Sequence, residues 1–316
     1  MARKIALVGI GKIAVDQHIP ALAADPDWEL AATVSRHASV DGVQGFTDID
    51  TLLATRPDID TVSLAIPPQP RFDYAHKALS AGRHVMLEKP PGQTLAECHA
   101  LERLAQAQGV TLFATWHSRY ADGVAGAKAW LADRRITRVA ITWKEDVRRW
   151  HPGQDWVWAP GGLGVFDPGI NALSILTEIL PFDVHLAAAT LDVPANRQTP
   201  IAADLTFAAP AMPDAANGAN GADVTAVFDW RQEGPQTWDI DVDTDAGPLR
   251  LSSGGARLRI GGDLVVDGSD HEYPNLYARM TDLLARGACD VDLAPMVHVC
   301  DALALGHRRS VDAFEF

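Results

Sequence analysis

Apolar residues in the first third of the chain fall into short runs separated by stretches with helical spacing. Residues 4–9 form a compact apolar run of strand length, and 11–24 then carry the periodicity of a helix. The alternation repeats. Strands are expected at 28–35, in a short run ending at Phe46, and at 61–66, 84–88 and 111–115, with helices at 48–55, 71–81 and 94–108. Strands that alternate with helices build βαβ units on a parallel sheet. This pattern ends near residue 118.

The texture then changes. A helix is expected at 121–131 and a strand at 136–145, followed by a Gly-, Pro- and Trp-rich loop over 148–163. The next helix, 168–180, opens with Pro at a first helical position. Strand-like runs follow at 184–191, 202–207, 224–230, 236–242, 248–251 and 258–260. The segment 209–221, rich in Ala, Asn, Gly and Pro, reads as a surface loop. Helices at 274–286 and 294–308 close the chain. Clustered strands flanked by helices predict an α+β domain with one large, mainly antiparallel sheet. The chain of 316 residues suits two domains at roughly 150 residues each. The division predicted is 1–118 and 119–316, with closing helices able to pack back on the first domain.

Four stretches carry chemistry. Gly9-Ile10-Gly11-Lys12-Ile13-Ala14 is a G-x-G-x-x-A turn between the first strand and the first helix. Glycines there let the backbone approach a pyrophosphate, which the helix N-terminus favours. In that context the motif predicts a Rossmann dinucleotide-binding domain. The second strand ends in Ser35-Arg36, where an NAD-specific fold usually places Asp or Glu. A small donor and a cation suit a 2′-phosphate, so NADP is expected to be preferred and NAD accepted. Glu88-Lys89-Pro90 follows a strand whose end faces the ligand crevice of such a sheet, placing Lys89 as a catalytic candidate or a polar turn residue. Finally, Gly161 through Asn171 puts Asp167 at a helix start and Asn171 four residues on, on one face. Asp167 there reads either as an acid–base group or as an N-cap.

Taken together, the glycine turn, His18-Ile19-Pro20-Ala21-Leu22, Ala81 through Pro90, and Gly161-Gly162 through Asp167 and Asn171 resemble the Gfo/Idh/MocA family, which includes glucose–fructose oxidoreductase and inositol dehydrogenase. The resemblance covers essentially the whole chain. It implies an NAD(P)-dependent sugar dehydrogenase that oxidises an aldose, L-arabinose or D-galactose, at C1 to the lactone by hydride transfer. It implies Lys89, Asp167 and Asn171 as catalytic residues. Gly9, Gly11, Lys12, Ile13, Ser35, Arg36, Pro67, Glu88 and Lys89 are the expected cofactor contacts. His117, Glu145, Trp150, His151, Asn171 and Trp230 are the expected sugar contacts, with Trp238 a weaker candidate. Inositol dehydrogenase-like members carry His where this chain has Asn171. That shifts proton transfer to Asp167 or Lys89 and argues against inositol. A keto-sugar reductase or a non-catalytic NADP-binding regulator are the rival readings.

Composition narrows the partners. With 27 basic and 41 acidic residues the net charge is −14, which disfavours nucleic acid. The cysteines Cys98, Cys289 and Cys300 form no metal pattern, so no metal is expected. No apolar run reaches the ~18 residues of a membrane span, and the N-terminus has no secretory pattern, so a cytoplasmic protein without membrane partners is expected. An open sheet face suggests a homodimer. Six of the nine tryptophans lie within 116–158. Indole faces pack against the C–H faces of sugars, although packing within a core uses the same surface.

Overall fold

The computed structural model describes residues 2–209, 221–269 and 271–315, so the loop expected over 209–221 falls largely outside them. The chain forms two compact units. One runs up to His117 and takes back Glu272–Leu293; the other comprises Ser118–His271 and the chain from Ala294 onward.

The first unit is built on six parallel strands: β1 (Arg3–Val8), β2 (Trp28–Val34), β3 (Gln44–Phe46), β4 (Thr61–Leu64), β5 (His84–Glu88) and β6 (Leu112–Thr115), in the order β3-β2-β1-β4-β5-β6. The order reverses between β1 and β4, the point where such sheets bind ligands beyond the strands' carboxyl ends. Four helices connect the strands: α1 (Ile19–Ala24), which continues a π-helical turn over Ala14–His18, α2 (Ile49–Thr55), α3 (Pro68–Ser80) and α4 (Leu95–Gln108). Strands covered on both faces carry continuous apolar runs. Val8, Val34, Leu64 and Leu87 accordingly meet Leu52, Leu79 and Leu101 from the helices in one core. Asp48 and Thr94, expected inside helices, instead cap them, accepting from Thr51 N–H and Glu97 N–H. The returning helix Glu272–Arg286, α8 in chain order, buries Tyr273, Tyr277 and Met280 and packs on α1.

The second unit carries α5 (Val124–Leu131), β7 (Ile136–Lys144), α6 (Val147–Trp150), α7 (Phe166–Ile179), β8 (His185–Pro194), β9 (Ala202–Ala208), β10 (Asp223–Asp229), β11 (Thr237–Thr244), β12 (Gly247–Ser252), β13 (Arg257–Ile260), β14 (Asp263–Asp267), α9 (Ala294–Leu305) and β15 (His307–Val311). Its strands form one nine-stranded sheet, β14-β13-β12-β11-β7-β10-β9-β8-β15. The neighbours β7/β10 and β8/β15 are parallel and the rest antiparallel. Helix α7 buries Ile170, Leu173 and Leu176, and packs beside α5, α9 and β7. A Cβ at Gly169 would stand 2.8 Å from the Phe228 ring, so the helix approaches β10 only with glycine there.

Several expectations are corrected. The last helix stops at Leu305 and the chain turns at Gly306 into edge strand β15 rather than running on to residue 308. Strand β14 was not expected. Helix α7 starts at Phe166, two residues before Pro168, because proline is tolerated throughout a first turn whose N–H groups lack helical partners. The loop expected over 148–163 contains the end of α6 and a 3-10 turn, Asp155–Trp158. Among the described residues no helix is long and apolar enough to cross a membrane.

Candidate active site

The glycine turn lies at the carboxyl end of β1. Gly9 has φ +89°, and a Cβ there would stand 2.5 Å from Ile66 Cγ2 and 2.7 Å from the Ala65 carbonyl oxygen. Only glycine lets this turn close on the loop after β4. Around Gly11 a Cβ would meet nothing within 4 Å. That open cradle, beside the first amides of the helical run over 12–24, fits a dinucleotide pyrophosphate. Ile13 is exposed, and the exposed Lys12 pairs with Asp16. Beyond β2, Ser35 N–H donates to the Phe46 carbonyl, and Ser35 Oγ accepts from Ala38 N–H at 3.2 Å. The turn so formed leaves Arg36 exposed beyond the strand's carboxyl end. Pro67, after β4, is exposed ahead of α3.

At the end of β5 the chain enters a buried polar network. Glu88 Oε1 accepts from the Tyr273 hydroxyl at 2.7 Å and from His18 Nε2 at 3.1 Å, while Oε2 accepts from the Lys89 amide at 3.0 Å. His18 Nδ1 lies 2.7 Å from the Tyr277 hydroxyl. Burial alone would raise the Glu88 carboxyl, but the His18 hydrogen bond and charge, with help from His117 and Tyr273, hold it at about 2. Burial and the Glu88 charge push the Tyr273 hydroxyl well above the phenol range, so it remains a donor. His117 follows β6, stacks on Tyr273 at 5.5 Å and donates to Glu272 at 2.5 Å. Burial would lower this imidazole, yet Glu272 outweighs it and the pKa rises. The buried Arg71 donates to the carbonyls of Ile66, Glu88 and Pro90, joining the loops after β4 and β5. The Lys89–Pro90 bond is cis. Glu88, expected as a cofactor contact, has both oxygens engaged by the protein and anchors the Lys89 backbone. His18, Arg71, Tyr273 and Tyr277 were not singled out for any role from the sequence.

In the second unit, α7 presents Asp167 and Asn171 one turn apart. The N-cap position is Val165, and Asp167 N–H donates to the Gly164 carbonyl at 2.8 Å. Its buried carboxylate faces His151 Nε2 at 3.4 Å. Asn171 is half-buried on the same face. His151 lies 5.2 Å from the Trp230 ring. Trp230 is fully buried and donates to Glu145 Oε1 at 3.3 Å, while Trp238 donates to Oε2 at 3.0 Å. Trp150, half-buried, lies 5.4 Å from Trp238 and donates to Gln236. Trp230, expected as a sugar contact, is fully buried and stands behind His151. Glu145, also buried, accepts from both Trp230 and Trp238. Trp150, His151, Asp167 and Asn171 remain as one local group. Among the described residues no cluster of His, Cys, Asp or Glu could hold a metal ion.

A parallel sheet with a glycine cradle at its switch point defines a dinucleotide-binding protein. The family model described as "Oxidoreductase family, NAD-binding Rossmann fold" (GFO_IDH_MocA) matches residues 3–115. Galactose 1-dehydrogenase from Pseudomonas fluorescens is 40% identical over 311 residues, covering 98% of both chains. The crystal structure of a D-galactose-1-dehydrogenase protein from Rhizobium etli superposes with a TM-score of 0.93 at 52% identity, covering 100% of this chain and 99% of that one. KijD10, a 3-ketoreductase from Actinomadura kijaniata solved with NADP and TDP-benzene, shares the fold at 17% identity and a TM-score of 0.83, covering 98% and 100%. The chain belongs to the Gfo/Idh/MocA oxidoreductase family.

Proposed function

We propose that this oxidoreductase is an aldose 1-dehydrogenase that oxidises D-galactose and L-arabinose at C1 to the lactone. The observation that carries the reading is the end-to-end likeness to galactose 1-dehydrogenases at 40% and 52% identity. NADP is the preferred cofactor and NAD is accepted; once bound, the nicotinamide supplies the hydride acceptor. Gly9 and Gly11 hold the pyrophosphate, flanked by Lys12, Ile13 and Pro67, and Ser35 and Arg36 bind the 2′-phosphate. Lys89 hydrogen-bonds the C1 oxygen and lowers the pKa of its hydroxyl. The Asp167–His151 pair takes up the proton, in the manner of a base oriented by a carboxylate. Asn171 fixes the sugar hydroxyls and Trp150 packs on its C–H face.

The two sugars share the configuration at C2, C3 and C4, whereas D-glucose inverts C4 and leaves a polar partner unpaired. A spectrophotometric screen of aldoses with both cofactors, read at the reduced-nicotinamide band, tests the reading. The expected kcat/KM for D-galactose and L-arabinose exceeds that for D-glucose by roughly 10- to 100-fold, matching a loss of about 1–3 kcal/mol. Reduction of neither cofactor by any aldose, or equal efficiency with D-glucose or myo-inositol, overturns it.

A further inference from the structure

The loop that carries Trp150 and His151 is gripped from outside by a single phenylalanine. After β15 the chain passes along the turn that follows β8. There Asn196 reads the Phe314 backbone on both sides: its Oδ1 accepts from Phe314 N–H at 2.9 Å and its Nδ2 donates to the Phe314 carbonyl at 3.2 Å. Arg197 adds two donors to that carbonyl, from Nε at 3.3 Å and Nη2 at 3.2 Å. A backbone held by four hydrogen bonds from two side chains has its ring direction set.

That ring touches both flanks of the loop. On one side, the Arg148 guanidinium lies over it at 5.8 Å, with Asp146 and Glu233 pairing the same guanidinium. On the other, the Trp158 ring lies 5.9 Å away, with Arg197 over Trp158 at 5.4 Å. Arg148 precedes His151 by three residues and Trp158 follows it by seven. The buried Trp158 meets Trp230 edge-on at 5.2 Å, and Trp230 is the surface on which His151 rests, 3.4 Å from Asp167. The loop rests on the same stretch of chain that holds Phe314: Thr199 Oγ1 donates to the Val157 carbonyl at 2.9 Å, and Val165 N–H donates to that of Pro200 at 2.8 Å.

We propose that Phe314 is a positioning residue that clamps the two flanks of the Trp150–His151 loop and so sets the placement of His151 against Asp167; the part of this that concerns sugar turnover rests on the aldose reading above. Aromatic contacts of this kind are short-ranged, and displacing a catalytic group by about 1 Å costs up to on the order of 10²-fold in rate. The test compares Phe314→Ala with Phe314→Tyr in the full chain, by aldose kinetics and by hydrogen exchange of the amides over 147–164. Phe314→Ala is expected to lower kcat/KM for D-galactose by about tenfold or more, leave the NADP dissociation constant unchanged, and speed exchange in 147–164 alone by roughly an order of magnitude. Phe314→Tyr, which keeps the ring, restores both. Unchanged exchange over 147–164 in Phe314→Ala overturns the clamp, as does faster exchange with wild-type aldose kinetics. If the wild type oxidises no aldose, the activity reading alone fails. The exchange comparison then decides the clamp: a local increase that Phe314→Tyr reverses supports it, and no change sinks it.

Discussion

Asp167 occupies the first turn of α7, and its buried carboxylate faces His151. A carboxylate facing an imidazole at 3.4 Å can exchange a proton with it. Lys89 is placed by a different device, its amide donating to the buried Glu88. Lys89→Ala and Asp167→Ala are each expected to lower kcat by on the order of 10²-fold or more while NADP dissociation constants, measured by fluorescence titration, stay near wild type. Near-normal kcat in both variants removes the assignment. Lys89 and Asp167 could be singled out as candidates because their motifs are local: a charged residue after a strand, a carboxylate at a helix start. His18, Tyr273 and Arg71 were not. His18 and Tyr277 are 259 residues apart, and no spacing rule marks a buried hydrogen bond between such positions.

At the level of elements, the strands and helices of the first unit could be read from the sequence because a sheet covered on both faces demands continuous apolar runs. Strand β15 could not. Its sequence, His307-Arg308-Arg309-Ser310-Val311, is polar and largely exposed, and it joins the sheet through backbone pairing with β8 and the Arg309–Asp192 ion pair. Charged edge strands of this kind resist unwanted pairing but carry no alternation. The junction of β5, the segment Ala14–His18 and α8 is the second case, since its cohesion is the Glu88 network. Glu88 has a folded pKa of about 2, below the ordinary value of 4.5. Its charged form therefore contributes stability that is fully present above about pH 4.5 and is lost as pH falls toward 2. Glu88→Gln is expected to lower the melting temperature at neutral pH, with the gap to wild type narrowing as pH is lowered from about 5 toward 3. Thermal melts of both proteins across that range check this. A gap that stays constant or widens on acidification excludes a charged Glu88 as the anchor.

For the molecule as a whole, a net charge of −14 sets a background that repels an anionic cofactor, and NADP more than NAD. The proposed preference for NADP therefore requires local donors strong enough to reverse the background. The turn after β2 offers them: Arg36 stands exposed beyond the strand, and the turn ordered by Ser35 brings no carboxylate between 35 and 40 to oppose a 2′-phosphate. A charge-assisted bond there contributes roughly 1.5–3 kcal/mol, about one to two decades in binding. Ligand that binds only the folded state raises stability as RT ln(1 + [L]/Kd), about 2.7 kcal/mol at a hundredfold excess over Kd. At equal concentrations NADP should therefore raise the unfolding midpoint more than NAD does. Arg36→Ala should abolish that difference while leaving the NAD shift intact, and Ser35→Asp should invert it by placing a carboxylate against the phosphate. The measurement is a pair of thermal-shift titrations on wild type and both variants, at fixed ionic strength because exposed charges are screened within about 8–10 Å. If NADP and NAD shift wild type equally, or if Arg36→Ala keeps the wild-type difference, Arg36 is a solvated surface residue and the chain does not read the 2′-phosphate through it.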